Sequence, residues 1–304
     1  MIYTLTLNTA IDMNILCNPV QPGVVNRTRN TAFSPNGKGV NVARVLNHFS
    51  EPAHILGIFG GFTGRYIVDE LTTQAIAVTP VWVEPPTRIN IFIHDGEQEY
   101  KLIQPGTFVD KACEQQILQV IEDLTDARCL VICGSLPPGP GNEFYPQILS
   151  VCRAKNIPVI LDISHPSLRE LLAYKPLLIK PNDDEVSAIF GLPVTNHQQA
   201  KIALKAMHSL GASNILLTLG ARGLYFSDGL TQWFCTAPDV ELISSACAGD
   251  AALGAFLSLW LRDGDVEAAL KMASAAGADV ASSAGLGELA AIEQLRQQVN
   301  VITL

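Results

Sequence analysis

The sequence predicts an α/β fold: a mainly parallel sheet covered by helices on both faces, with a small β-sheet lid. Three observations carry this. Four short apolar runs, CLVICGS, PVILDIS, PLLIKPN and NILLTLG, are separated mostly by segments of helical period, the pattern of buried parallel strands. Each run ends in polar or glycine residues, where ligands of such sheets bind. Two other segments, residues 12–31 and RINIFIHDGEQEYKLIQPG, read as strands outside that rhythm.

Taken in order, MIYTLTLN is an apolar strand without the basic start of a signal peptide. Residues to about Thr31 alternate weakly, like short exposed strands. Asn36-Gly37-Lys38-Gly39 forms a turn into a helix on which Val42, Val45, Leu46 and Phe49 recur at helical spacing, with Asn41 at its mouth. HILGIFGG is a buried strand, and Gly60, Gly61 and Gly64 open the next helix. Arg88 heads a hairpin turning at Asp95-Gly96. The lid is expected from about 10–32 and 87–105 within one domain spanning 1–304. GLYFSDGLTQWFCTAP is a second hairpin, and two helical segments follow further on.

Composition narrows the function. A chain of 304 residues, 48% apolar, can bury a large core. Its apolar stretches are too short to span a bilayer. Net charge −9 argues against a nucleic-acid partner, and an anionic substrate would need cations gathered locally, such as Arg27, Arg29, Lys38 and Arg44. Seven cysteines, mostly inside apolar segments, suit a reducing cytoplasm, and Cys129 and Cys133 read as core thiols.

The chemistry centres on Ser244-Ser245-Ala246-Cys247-Ala248-Gly249-Asp250, followed by an apolar helix to Asp263-Gly264. Small residues leave amides bare at the helix start, an anion site, and Asp250 puts a carboxylate beside it. That pairing suits a general base taking the proton of a hydroxyl that attacks phosphorus. A plain helix cap would use the same residues. Asn182 and Glu185, three apart at a helix start, can organise magnesium or close a capping box, and the two are compatible. Neither GxxxxGK[ST] nor GxGxxG after the first strand is present, which excludes a P-loop kinase and disfavours hydride transfer.

In order and approximate spacing, NTAID, GKGVNVARVL, TRIN, GSLPPG, KPNDDE, TLGARG and CAGD resemble the ribokinase/PfkB carbohydrate kinase family, and its phosphofructokinase branch in particular. The resemblance covers essentially the whole chain and implies a ribokinase-like fold. It implies Asp250 as base, with the Ala248 and Gly249 amides as anion hole. It implies magnesium on Asn182 and Glu185 through water, and ATP lined by Lys180, Asn182, Thr218, Gly220, Gly223, Cys247 and Ser283. Sugar would be held by Asp12, Gly37, Lys38, Asn41 and Ser135, and its phosphate by Arg88 with Arg27. A monovalent cation and a homodimer paired through the lid also follow from the resemblance. Two departures stand out: Cys247 and Asn36 each replace a glycine of the family pattern. The expected reaction is fructose 1-phosphate to fructose 1,6-bisphosphate. Tagatose 6-phosphate, fructose 6-phosphate or an unphosphorylated sugar are alternative substrates, and a sugar-phosphate-binding regulator is the alternative outside enzymes.

Overall fold

The first strand, β1 (Ile2–Thr6), is fully buried inside the main sheet, between β8 and β4, with Tyr3 and Leu5 on one face and Ile2, Thr4 and Thr6 on the other. The computed structural model describes residues 1–304. After β1 come β2 (Ala10–Cys17), β3 (Thr28–Asn36), α1 (Lys38–His48), β4 (Ala53–Gly60), α2 (Gly61–Thr73) and β5 (Ala77–Val83). Next are β6 (Arg88–His94), β7 (Glu99–Leu102), α3 (Lys111–Glu122), β8 (Cys129–Cys133), α4 (Phe144–Ala154) and β9 (Val159–Asp162). The chain continues through α5 (Leu168–Leu171), β10 (Leu178–Ile179), α6 (Asp183–Phe190), α7 (His197–Leu210) and β11 (Ile215–Thr218). It ends with β12 (Leu224–Ser227), β13 (Gln232–Cys235), α8 (Ala248–Asp263), α9 (Val266–Ala281), α10 (Ile292–Leu295) and β14 (Val301–Thr303).

Ten strands form the main sheet in the order β14-β13-β12-β11-β10-β9-β8-β1-β4-β5. From β11 to β5 all neighbours are parallel, and β12, β13 and β14 add an antiparallel edge. Side chains alternate between two cores, as the pleat requires. Leu130, Ile132, Leu161 and Leu217 pack under α3, α4 and α7, whereas Val131, Ile160 and Leu216 pack under α1, α8 and α9. The chain reverses its direction of winding at β1, between β8 and β4, and this crevice receives the site.

A separate four-stranded sheet, β3-β2-β6-β7, stands over that crevice. The weak alternation of residues 12–31 conceals two long strands: β2 pairs with β3 from Ala10↔Asn36 to Cys17↔Thr28. β3 therefore runs past residue 32 and delivers Asn36 directly to the start of α1. One face of this sheet carries Asp12, Asn90 and Phe92; the other carries the row Phe33, Met13, Ile91 and Leu102, with Phe33 and Leu102 exposed.

The glycines flanking Lys38 serve close packing more than flexibility. A Cβ at Gly37 would stand 2.7 Å from Thr6 Cγ2, and one at Gly39 2.4 Å from Thr6 Oγ1, so α1 lies directly on β1. No helix is long and apolar enough to cross a membrane. All seven cysteines are free thiols, and Cys129 and Cys133 are buried in β8.

Candidate active site

Helix α8 begins at Ala248 behind Cys247, and no side chain caps it, so the amides of its first turn face the crevice. Gly254 lets α8 approach α1, since a Cβ there would be 2.8 Å from Val45 Cβ. That approach brings Asn41 to Asp250: Asn41 Nδ2 donates to Asp250 Oδ2 at 2.8 Å. Asp250 is only 6% exposed. Burial first, then the negative charge of Asp162, pushes its carboxyl up to about 6, against the pull of Lys38, Asn41 and Lys180. Cys247 occupies the left-handed region at φ 64°, a conformation costly for a residue with a Cβ.

Lys38 and Lys180 come from different halves of the chain and meet on one carboxylate. Asp162, fully buried at the end of β9, lies 3.1 Å from Lys38 Nζ and 3.2 Å from Lys180 Nζ. Burial works against its charge, but the two lysines outweigh this and hold its carboxyl below the ordinary range. Lys38 shows the same balance in reverse: burial opposes its charge, yet Asp162, Asp250 and Glu185 raise its ammonium above the ordinary value. Lys180 Nζ also lies 3.3 Å from where a Cβ on Gly249 would be, so it stands at the mouth of α8. Asp162 was not singled out in the sequence. The signal was a polar residue ending an apolar strand, the same one that marks Ser135 and Asn182.

Asn182 and Glu185 close a full capping box on α6: Asn182 Oδ1 accepts from Glu185 N at 2.7 Å, and Glu185 Oε2 from Asn182 N at 3.0 Å. Glu185 Oε1 accepts from Ser164 Oγ and lies 4.0 Å from Lys38 Nζ. No cluster of three His, Cys, Asp or Glu side chains forms a closed metal cage. One carboxylate at the crevice and the unpartnered Asp162 Oδ2 suit a magnesium ion that keeps most of its waters. Thr218 bridges to Asn182, while Gly220 and Gly223 follow in the turn after β11. Gly223 must lack a side chain, because a Cβ would meet Cys235 O at 2.2 Å. Ser283 lies after α9, its hydroxyl donating to Asp279 O at 3.1 Å.

The loops before α8 and after α9 face the small sheet across a cleft of about 330 Å³ lined by Asp12, Phe92, His94, Ser244 and Gly285, among others. Asp12 Oδ1 accepts from Asn90 Nδ2 at 2.9 Å, and Asp12 Oδ2 from Asn36 Nδ2. The Gly37 amide donates to Asn36 Oδ1 at 2.6 Å. Arg88 donates to Gln104 O at 2.9 Å and Asn8 O at 3.0 Å, and its buried Nε has no partner. Asn8 Nδ2 reaches Pro105 O at 2.9 Å and Ser135 Oγ at 3.3 Å, so Ser135 and Arg88 share one corner. Arg27 is not brought there. It lies exposed just before Thr28, which pairs with Cys17, about five strand residues or ~17 Å along β2 from Asp12.

An aspartate poised to accept a proton, an open helix start and gathered cations make an arrangement suited to moving a phosphoryl group onto a hydroxyl. Residues 6–292 match the family model of the pfkB family carbohydrate kinases, and the chain belongs to that family. It is 59% identical to the D-tagatose-1-phosphate kinase of Klebsiella oxytoca, with 100% of both chains covered. The 1-phosphofructokinase of Bacillus subtilis is 29% identical, again over 100% of both chains. Phosphofructokinase-2 from Escherichia coli in complex with potassium superposes with a TM-score of 0.90 at 28% identity, over 98% of each chain. The chain is thus a sugar-phosphate kinase acting on a ketohexose phosphate, which sets aside the binding-only alternative.

Proposed function

We propose that this enzyme transfers the γ-phosphoryl group of ATP to O6 of D-tagatose 1-phosphate, giving tagatose 1,6-bisphosphate. The observation that carries the choice of sugar is the 59% identity, over the full length of both chains, to the Klebsiella oxytoca kinase. It moves the preferred substrate from fructose 1-phosphate to its C4 epimer. The 1-phosphofructokinase relative keeps fructose 1-phosphate as the second reading.

In this reading the Asp250 carboxylate takes the proton from O6 as the hydroxyl attacks, with Asn41 holding the carboxylate in line. The amides of Ala248 and Gly249, with Lys180 and Lys38 beside them, balance the charge of the transferred group. Glu185, supported by Asn182, would hold magnesium through water; the bound ion would neutralise phosphate charge. The nucleotide runs over Thr218, Gly220, Gly223, Cys247 and Ser283. Asp12 and Ser135 hold the sugar, and Arg88 holds the C1 phosphate, since a guanidinium tied down by two carbonyls still has donors to offer.

The small sheet acts as the lid. Its exposed apolar row around Phe33 and Leu102 supports pairing of two lids in a homodimer. The potassium complex of the Escherichia coli relative supports a monovalent cation as a further cofactor. Seven free thiols favour a cytoplasmic setting. The test is ADP release with MgATP, comparing kcat/KM for the 1- and 6-phosphates of tagatose and fructose. Preference for tagatose 1-phosphate is expected; a preference for either 6-phosphate would refute the reading.

A further inference from the structure

Between the lid and the base runs an unbroken line of polar side chains. Asn90 donates to Asp12, Asn36 donates to Asp12, Asn41 donates to Asn36 Oδ1 at 2.8 Å, and Asn41 donates to Asp250 at 2.8 Å. Asn36 is the central member and has no role in the mechanism above. Its orientation is fixed from both ends. Oδ1 accepts from two donors, Gly37 N and Asn41 Nδ2, while Nδ2 gives one hydrogen to the Asp12 carboxylate. An amide so held has one N–H left to offer; Asn36 is half-buried, and the Asp12 carboxylate to which it is bonded lines the cleft.

We propose that Asn36 is the residue that distinguishes the two C4 epimers. This rests on the reading of the substrate as a ketohexose 1-phosphate. In the furanose form of such a sugar, O6 lies at Asp250 and the nearest other free hydroxyl along the carbon chain is O4. One amide away from Asp250, past Asn41, the line of side chains presents Asn36 and Asp12. Tagatose and fructose differ only in the configuration of C4, so this pair meets the one hydroxyl that differs. A donor locked by three hydrogen bonds cannot turn to follow an inverted hydroxyl. A pairing that is good for one epimer is therefore lost for the other. With a 6-phosphate the accepting group becomes O1, and the hydroxyls beside it are the same in both sugars. Discrimination by Asn36 is therefore confined to the 1-phosphates.

The test uses the purified enzyme and two variants. Asn36→Ala removes the amide, and Asn36→Asp keeps an acceptor for Gly37 N and Asn41 while removing the free N–H, the proton taken up by the new carboxyl being shared with Asp12. For each protein, kcat/KM is measured for the 1- and 6-phosphates of tagatose and fructose, with KM for ATP alongside. The expected result is that the tagatose-to-fructose ratio for the 1-phosphates falls about tenfold in both variants, the worth of one hydrogen bond. The ratio for the 6-phosphates and the KM for ATP should stay within about twofold. A purely structural role would lower all four sugars together, or be rescued by Asn36→Asp, and either result overturns the assignment. A wild-type preference for tagatose 1-phosphate that survives in both variants overturns it as well. Wild-type enzyme inactive on both 1-phosphates would overturn the substrate reading, visible without any variant, and the assignment with it.

Discussion

Asn41 and Asp250 are 209 positions apart in sequence, yet the Asn41 amide donates to the Asp250 carboxylate at 2.8 Å. The contact depends on Gly254, which allows α8 to lie against Val45 of α1. It holds one carboxylate oxygen and leaves the other for a substrate proton. Asp250→Asn should lower kcat by several orders of magnitude with little change in sugar KM. Steady-state kinetics at saturating ATP would check this, and near-normal turnover would remove Asp250 as the base.

The same residue sets the pH profile. Burial and Asp162 raise the Asp250 carboxyl to about 6 in the free enzyme, and a base must be ionised, so kcat/KM should fall as pH drops through about 6. The folded-state value lies above the unfolded one, so the stability Asp250 contributes is present in acid and lost as pH rises through about 6. Asp250→Asn should therefore raise Tm at neutral pH, by about 2–4 °C per kcal/mol relieved. Calorimetry at pH 5 and pH 8 should show a clearly larger gain at the higher pH, because the penalty grows from the ordinary carboxylate range up to about 6.

Asp162→Asn removes the counter-charge from Lys38 and Lys180 together. Breaking a buried ion pair from one side costs about 3–5 kcal/mol, so denaturant midpoints should drop. Asp162 also raises the Asp250 carboxyl, so its loss should shift the acid limb of the kcat/KM profile to lower pH. An acid limb that stays in place would show that the two carboxylates do not sense each other.

Arg88→Ala should raise the KM for the sugar phosphate by tenfold or more while leaving the KM for ATP nearly unchanged, a split that initial-rate kinetics resolves. Arg88→Lys should recover only part of the loss, because an ammonium cannot hold Gln104 O, Asn8 O and a phosphate in one plane. An unaltered sugar KM would show that Arg88 does not hold the phosphate of the sugar.

Cys247→Gly should stabilise the protein by about 1 kcal/mol, the left-handed strain outweighing the extra freedom of glycine. Equilibrium unfolding would measure it. If the Cβ also crowds the nucleotide, the KM for ATP should fall in the same variant.

Much of the fold could be read in advance because its signals are local. Apolar runs ended by polar residues gave the parallel strands, and the small residues before Asp250 marked the open start of α8. What could not be read depends on register and on contacts across the chain. Arg27 lies immediately before the lid strand β3, but the β2–β3 pairing puts the start of that strand at the far end of the sheet from Asp12. Asp162 ends an apolar run like its neighbours, and only the folded sheet shows two lysines converging on it. Asn36 stood out as an amide at the rim of the sugar site, but nothing in the sequence places Asp12 opposite it at the end of β3.

Chain order also has a consequence for synthesis on the ribosome. β1, the lid strands, α1 and Ser135 all emerge within the first 135 residues, whereas Asp250 and the last sheet strand, β14, come near the C-terminal end. A nascent chain can therefore assemble the sugar-facing half of the cleft well before it owns a base. Until α8 docks, the Asn41 amide and the two lysines face water, and no phosphoryl transfer can occur. The enzyme acquires its reactivity only after the sugar-facing half of the cleft has been made.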